Sequence, residues 1–533
     1  MLIAALLDVL VLGCIFAVAA EIFENTPRLR LARDTLFVLS LLIPINVLRK
    51  RYHLFAYQSL VDHYGRLATI TLALVSVLLA YLLILHRRGA VRVTKVLVLV
   101  MAPLPLLIVG QSVFQTFTGA PRAFSTSIGS VRPPTAVNTE TDQRVVWLIF
   151  DELDQYLLTE GRPTGLELRG FDAFREISLS AEKAVRPGRD TIDAVPAALT
   201  RQRMVGADVV GAGSLLLTPC RGEAHVFQSK QTVFASARSL GLTTAMVGWY
   251  HPYCRVLADS LTYCYAKPAQ SQFVEEIETR NQGLPGMAMD LFKRQLLQLP
   301  LAERLGLVHE TIPSREAVRE ERVDHLAEFV DLYHHALEAI RSPYLRFTVV
   351  HLPIPHLPAL YDRHTQRMDA TGKGNYFDNL VLADKVLTDV REALEQSGLW
   401  SRTAVLVTSD HPLRVSILRS LPADSAAEER KATGDRERSY IPFLVRLPQE
   451  TGGVEFTDEI DSSVAGNLAL GAATGQLTSY ATAAALLKQT ARPEPCRNAT
   501  STGQSFARET HQTAQRLRSE RLPHPPDKVG SPN

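Results

Sequence analysis

The pattern of apolar and polar positions divides the chain near residue 114. Before it, residues 2–20, 35–48, 68–85 and 96–113 are long apolar runs almost free of charge. Three of these reach the roughly 17–25 residues a membrane-crossing helix needs; 35–48 is shorter and contains Pro44. The pattern predicts an N-terminal bundle of about four transmembrane helices over 1–113. Residues 114–144 are rich in Ser, Thr, Pro and Gly, show neither helical nor strand periodicity, and read as a linker. Beyond it the apolar runs become short: VVWLIF at 145–150, TTAMVGW at 243–249, RFTVVHL at 346–352, AVLVTS at 404–409 and IPFLVRL at 441–447. Short runs rich in β-branched residues and without alternation read as strands buried on both faces. Helical stretches between them predict an α/β fold, a parallel sheet flanked by helices. The clearest helix is 376–397, where Phe377, Leu380, Val386, Leu387, Val390 and Leu394 form one apolar stripe and Gly398 supplies the stop. Residues 275–340 also read as helical, an insertion or lid beside the sheet. The domain is expected to span 145–490, with a disordered tail over 491–533, where Arg, Pro, Ser, Thr and Gln dominate.

Composition adds a compartment. The net charge of +2 over 533 residues, without a basic stripe, gives no reason to expect nucleic acid as a partner. With four spans, the loop holding Arg28, Arg30 and Arg33 and the loop holding Arg87, Arg88, Arg92 and Lys95 share one side. They carry more basic residues than the loop with Arg49, Lys50, Arg51 and Arg66, so the large C-terminal domain is expected outside the cytoplasm. No basic segment precedes Leu2 and further spans follow, which argues against a cleaved signal peptide. The expectation is a multi-pass protein of the inner (cytoplasmic) membrane whose large C-terminal domain faces the periplasm or exterior. Cys14 lies in the first apolar run; Cys220, Cys254, Cys264 and Cys496 permit two disulfides there, with Cys254 and Cys264 the simplest pair and free thiols the alternative. No Cys-x-x-Cys spacing supports zinc held by cysteines.

The strand ends carry the chemistry. In open parallel sheets, ligands gather at the carboxyl ends of the strands. VVWLIF ends in Asp151 and Glu152; RFTVV leads to His351, with His356 five residues on; AVLVTS ends in Asp410 and His411. Carboxylates and imidazoles delivered to one sheet edge suit a divalent metal, zinc or manganese. Thr191, in RPGRDTIDAVP before a helical stretch, is a candidate nucleophile, because a metal cation eases loss of the hydroxyl proton and a helix N-terminus favours an anion. Taken alone it would read as a helix cap. Arg186 and Arg189 flank it as possible phosphate contacts or solvated charges.

These residues resemble the alkaline-phosphatase/sulfatase superfamily, and within it the membrane-bound transferases that move phosphoethanolamine or phosphoglycerol onto envelope lipids and glycans. VVWLIFDE resembles the family's first strand with its metal-binding acid. TIDAVP resembles the nucleophile loop, HLPIPHLPALY the H-x4-H-x-P segment, and TSDHP the SDHG motif. The resemblance covers about 145–447. It implies an alkaline-phosphatase-like sheet and one divalent metal bound by Asp151, Thr191, Asp410 and His411. Glu152 is able to substitute as ligand, while His356 and, less directly, His351 contact the transferred group or a second metal. Three positions depart from the pattern. Pro412 stands where the family has glycine, Tyr440 stands where many relatives have histidine, and no Cys-x-Pro-x-Arg or Ser-x-Pro-x-Arg signature is present for a formylglycine sulfatase. The expected function is transfer of a phosphoryl-type group between a membrane lipid donor or acceptor and envelope lipid or glycan, through a covalent threonine intermediate. The alternatives are a membrane-anchored, metal-dependent phosphoester or sulfoester hydrolase and a non-catalytic membrane scaffold.

Overall fold

A computed structural model describes residues 142–268 and 315–491, apart from 212–213, 370–373, 416–417, 419–426 and 435–437, together with 89, 96, 127–131 and 496. The transmembrane bundle expected over 1–113 lies outside these residues but for two positions. No helix among the described residues is long and apolar enough to cross a membrane. Ala123–Glu276 with Gly306–Asn533 forms one compact unit, and Met1–Arg122 with Ile277–Leu305 forms the other.

The centre of the first unit is a nine-stranded sheet: β1 (Ser127–Gly129), β2 (Arg144–Asp151), β3 (Leu179–Ala181), β4 (Thr244–Tyr250), β5 (Tyr263–Pro268), β6 (Phe347–Pro355), β7 (Thr403–Ser409), β8 (Phe443–Arg446) and β9 (Val454–Phe456). The spatial order is β1-β5-β4-β6-β2-β7-β8-β3-β9. Strands β5, β4, β6, β2 and β7 run parallel. The run at 441–447 was expected to join them in parallel, but β8 is antiparallel to β7, and Ile441 belongs to a separate small sheet with Ala184. An antiparallel neighbour can start at the edge where β7 ends, so the chain needs no crossover to reach it. The linker also contributes: β1 pairs with β5, and Gly129 (φ +68°) lies so close to the Thr262 carbonyl that a Cβ would collide with it.

Strand β2 shows why these runs lack visible alternation. Val145, Trp147 and Ile149 enter one core; Val146, Leu148 and Phe150 enter the other. Both faces are covered, so both sets must be apolar. Helices α1 (Thr191–Thr200) and α4 (Ala465–Ala473) contribute to the first core, and α2 (Arg315–Arg341) and α3 (Tyr376–Gln396) to the second. Phe329, Leu332, Ala336 and Ile340 of α2 are buried against the sheet, so this part of the expected lid is a layer of the domain. Helix α3 begins where Asn375 accepts from the amides of Phe377 and Asp378, and it stops before Gly398 at φ +66°. Its first residue, Tyr376, donates to the Glu152 carbonyl at 2.8 Å and accepts from the Asp154 amide at 3.2 Å, which fixes the loop leaving β2.

Two disulfides close the unit, Cys254–Cys264 and Cys220–Cys496. The tail is therefore still attached at its start: Ala491 bridges to Ile460, and Cys496 is bonded.

Candidate active site

Asp151 ends β2, and Asp410 and His411 follow β7, the strand beside it. The register pairs Ser409 with Phe150, so the residues after them leave the sheet together. Ser409 secures the junction: its hydroxyl lies 2.8 Å from the Phe150 carbonyl and 2.9 Å from the His411 carbonyl, and it accepts from the Leu153 amide at 2.9 Å. Thr191 arrives from the other direction, as the first residue of α1. The Asp193 carboxylate accepts from the amides of Arg189 and Asp190 at 2.9 Å and holds the entry to that helix. Gly188 permits this approach, because a Cβ there would lie 2.6 Å from Ala194 backbone.

These elements bring four of the residues singled out in the sequence together. Thr191 Oγ1 lies 3.3 Å from His411 Nε2 and 3.4 Å from Asp151 Oδ2. His411 Nε2 lies 3.4 Å from Asp410 Oδ2 and 3.9 Å from Asp151 Oδ1. One ligand atom from each of Asp151, Asp410 and His411 falls within 4.8 Å of the others, and all three residues are buried. Asp410 Oδ1 is satisfied by the amides of His411 (2.7 Å) and Glu152 (3.1 Å), whereas Asp410 Oδ2 and Asp151 Oδ1 are buried with no hydrogen-bond partner. His411 Nδ1 lies 3.0 Å from the Pro412 carbonyl, which can only accept. That contact places the proton on Nδ1 and leaves Nε2 with a free lone pair facing the two orphaned oxygens.

Electrostatics agree with the geometry. Burial first, then Asp410 and Glu152, push the Asp151 carboxyl well above its usual range. Burial opposes ionisation of Asp410 too, but attraction to the His411 and His351 imidazoles in their protonated forms, together with the hydrogen bonds to it, outweighs that and brings it below the usual range. Two adjacent buried carboxylates cannot both carry charge unless a cation shares the site. Two orphaned carboxylate oxygens, an unprotonated imidazole nitrogen and a hydroxyl are a donor set that fits a divalent metal.

Glu152 departs from this group. It adopts φ +64°, and its Oε1 accepts from Arg414 Nε at 2.7 Å. His356 lies between two cis peptide bonds, Ile354–Pro355 and Leu357–Pro358, and donates its amide to the Asp151 carbonyl at 3.1 Å. Its Nε2 is 3.2 Å from Arg414 Nη2 and its Nδ1 is buried without a partner. His351 is fully buried; its Nδ1 is 3.0 Å from the Trp249 carbonyl and 2.9 Å from the Tyr253 hydroxyl, and its Nε2 has no partner. Burial pushes it down to about 4, so it is neutral. Arg186 lies 3.4 Å from the Arg189 carbonyl, and Arg189 is exposed. Tyr440 hydrogen-bonds Glu459 at 2.6 Å, outside the metal-ligating group.

Two further residues join the site that the sequence did not single out. His251, one residue past β4, lies with Nε2 3.0 Å from the Thr191 carbonyl, and burial pushes it down to about 4. The sequence signal is the same as for Asp151: TTAMVGWYH is an apolar run that ends in a ligand-type residue, His251. Arg414, three residues past His411, contacts Glu152, His356 and Asp190.

The sequence of residues 310–466 matches the family model described as Sulfatase, a stretch that includes His351, His356, Asp410 and His411. Over these residues the chain is therefore similar to a sulfatase domain. A search among curated proteins finds no match. Similar solved structures include the lipoteichoic acid synthase LtaP from Listeria monocytogenes, at 14% identity over 66% of this chain and 74% of that one, with a TM-score of 0.37. They also include the phosphonate monoester hydrolase of Agrobacterium radiobacter (12%, 62% and 74%, 0.36) and the PsFucS1 sulfatase from Pseudoalteromonas sp. (14%, 62% and 67%, 0.39). Likeness at this level says nothing of substrate.

Proposed function

We propose that the chain transfers a phosphoryl-type group, of the phosphoethanolamine or phosphoglycerol class, to envelope lipid or glycan through a covalent ester on Thr191. The observation that carries this reading is the Thr191 hydroxyl at a helix N-terminus, 3.3 Å from His411 Nε2 and 3.4 Å from Asp151 Oδ2, beside two orphaned carboxylate oxygens. A threonine here, and no formylglycine signature, favours direct attack by the hydroxyl. A divalent cation held by Asp151, Asp410, His411 and Thr191 would ease ionisation of that hydroxyl and offset charge on the transferred group.

The chain's own residues then account for the rest. His251 fixes the Thr191 carbonyl and Asp193 fixes the turn before it, so Oγ1 is aimed before substrate arrives. Oγ1, having lost its proton to solvent, bonds to phosphorus; the bond from phosphorus to the donor lipid oxygen breaks, and that oxygen takes a proton from water. The amides opening α1 favour the anionic ester. An acceptor hydroxyl then bonds to phosphorus, the Oγ1–P bond breaks, and Thr191 regains a proton as the acceptor loses one. His356, whose Nε2 lies 3.2 Å from Arg414 beside the site, is the proposed further contact to the transferred group.

A lipid donor or acceptor agrees with the apolar N-terminal runs, and the Cys254–Cys264 and Cys220–Cys496 bridges agree with an oxidising compartment outside the cytoplasm. The test is peptide mass spectrometry on Thr191 in protein taken from its native membrane. A mass increment there that disappears in Asp410→Ala supports the reading, and its mass identifies the group. An unmodified Thr191 in protein carrying stoichiometric metal overturns the transferase and leaves a hydrolase.

A further inference from the structure

The geometry points to Arg414 as the residue that receives a non-bridging oxygen of the transferred tetrahedral anion, on its Nη1. This inference rests on the function proposed above and adds a substrate contact that the metal-ligating group does not contain.

Leu413, buried to 1% exposure, anchors the segment after His411, and Arg414 then turns back over the site. Its guanidinium joins the three loops that carry the chemistry. Nε lies 2.7 Å from Glu152, the residue after Asp151; Nη1 lies 3.3 Å from Asp190, the residue before Thr191; Nη2 lies 3.2 Å from His356 Nε2. These contacts are unequal. Glu152 is 2% exposed and its pairing is short, so it fixes the guanidinium. The Asp190 side chain is 53% exposed and its contact is long, the kind of surface pair that contributes little and is readily exchanged. The fork therefore has one firmly held edge and one edge occupied by a solvent-facing carboxylate, next to the nucleophile. A guanidinium N–H donates to an oxygen of a phosphate or phosphodiester as well as it does to a carboxylate. A substrate anion at Thr191 takes the place of Asp190 on Nη1, while Glu152 keeps the group aimed. Arg189, which the sequence offered for this task, is exposed.

The bland alternative is a strut: Arg414 merely ties the Glu152 and Asp190 loops together. The experiment separates the two by measuring affinity for inorganic phosphate by calorimetry on the full-length, detergent-solubilised protein supplied with zinc. Metal content and melting temperature are recorded alongside. Arg414→Met is expected to weaken phosphate binding about tenfold to a hundredfold, as loss of charged hydrogen bonds does, with metal content unchanged. Arg414→Lys is expected to recover only part, because an ammonium lacks the fork. Asp190→Asn removes the resident competitor and is expected to hold or tighten phosphate. Wild-type affinity in Arg414→Met overturns the proposal, and so does a loss in Asp190→Asn equal to that in Arg414→Met, which is the signature of a strut. If Arg414→Met fails to fold, Arg414→Lys and Asp190→Asn decide between them: wild-type affinity in the former overturns it, and reduced affinity there with Asp190→Asn intact sustains it. Failure of the covalent Thr191 reading shows separately, as a missing adduct in protein that still binds phosphate.

Discussion

Replacing Asp151 by Asn should reverse the order of stability with and without metal. In the metal-free protein the Asp151 carboxyl is buried beside Asp410, its Oδ1 has no partner, and its affinity for protons is raised. The sign follows from linkage. An acid whose folded pKa lies above its unfolded value binds more protons when folded, so its ionisation subtracts stability as pH rises from its ordinary value towards the folded one. The loss is about 1.4 kcal/mol per pH unit across that window. Asp151→Asn removes the loss, at the cost of about 1–3 kcal/mol if the new amide finds no acceptor. The nearby Asp410 Oδ2 is such an acceptor, unpaired in the wild type. Metal-free Asp151→Asn should therefore melt at or above wild type near neutral pH, and the gap should close on acidification. With zinc or manganese at about 100 times its Kd, the wild type gains about 2.7 kcal/mol and the variant little, so wild type melts higher by several degrees. Differential scanning calorimetry in chelator and in metal, between about pH 5 and pH 8, reads both orders. A variant less stable than wild type by the same amount in chelator and in metal would refute the reasoning, because it would mean that the fold satisfies the Asp151 carboxylate without a cation.

Two other outcomes test the surrounding frame. His325, fully buried with Nε2 3.1 Å from the Pro353 carbonyl, is pushed down to about 3 by burial and then by His356, so its contribution is complete above about pH 6.5 and is lost on acidification below it. His325→Gln should flatten the fall of stability with pH between about 6 and 4 by about 1.4 kcal/mol per unit in urea titrations, and an unchanged slope would count against a neutral buried imidazole. Arg144 is fully buried at the opposite end of β2 and donates to the carbonyls of Leu345, Ile340 and Ser342 at 3.0, 3.1 and 2.9 Å. Arg144→Met leaves those acceptors without a donor and should cost about 3 kcal/mol or more in urea unfolding with Thr191 reactivity intact; a loss under about 1 kcal/mol would show that the carbonyls find other partners.

What the sequence made legible depended on whether a residue acts through its own element. The apolar runs at 145–150 and 404–409 become adjacent parallel strands, and the rule that such strands present ligands at their carboxyl ends points to Asp151, Asp410 and His411. The stripe from Phe377 to Leu394 likewise announces α3 and its stop. The direction of β8 was illegible, since an apolar run reads the same in either sense. The role of Arg414 was illegible for a different reason: its three contacts are 58, 224 and 262 positions away in the chain, and nothing local to PLR signals them.

Glu152 lies between these cases. Adjacency to Asp151 made it a substitute ligand in the sequence. Consecutive residues leaving a strand point to opposite sides, however, and the left-handed conformation of Glu152 completes the turn that delivers Asp151 inward and Glu152 towards Arg414. The two readings predict different variants. If Glu152 aims Arg414, Glu152→Gln keeps full metal stoichiometry and weakens phosphate binding, because a neutral amide holds the guanidinium less firmly than a carboxylate does. If Glu152 is a ligand, the same variant loses metal first. Metal analysis of Glu152→Gln beside Asp410→Asn decides: retention in the former with loss in the latter assigns Glu152 to the substrate side of the site, and loss in both returns it to the metal.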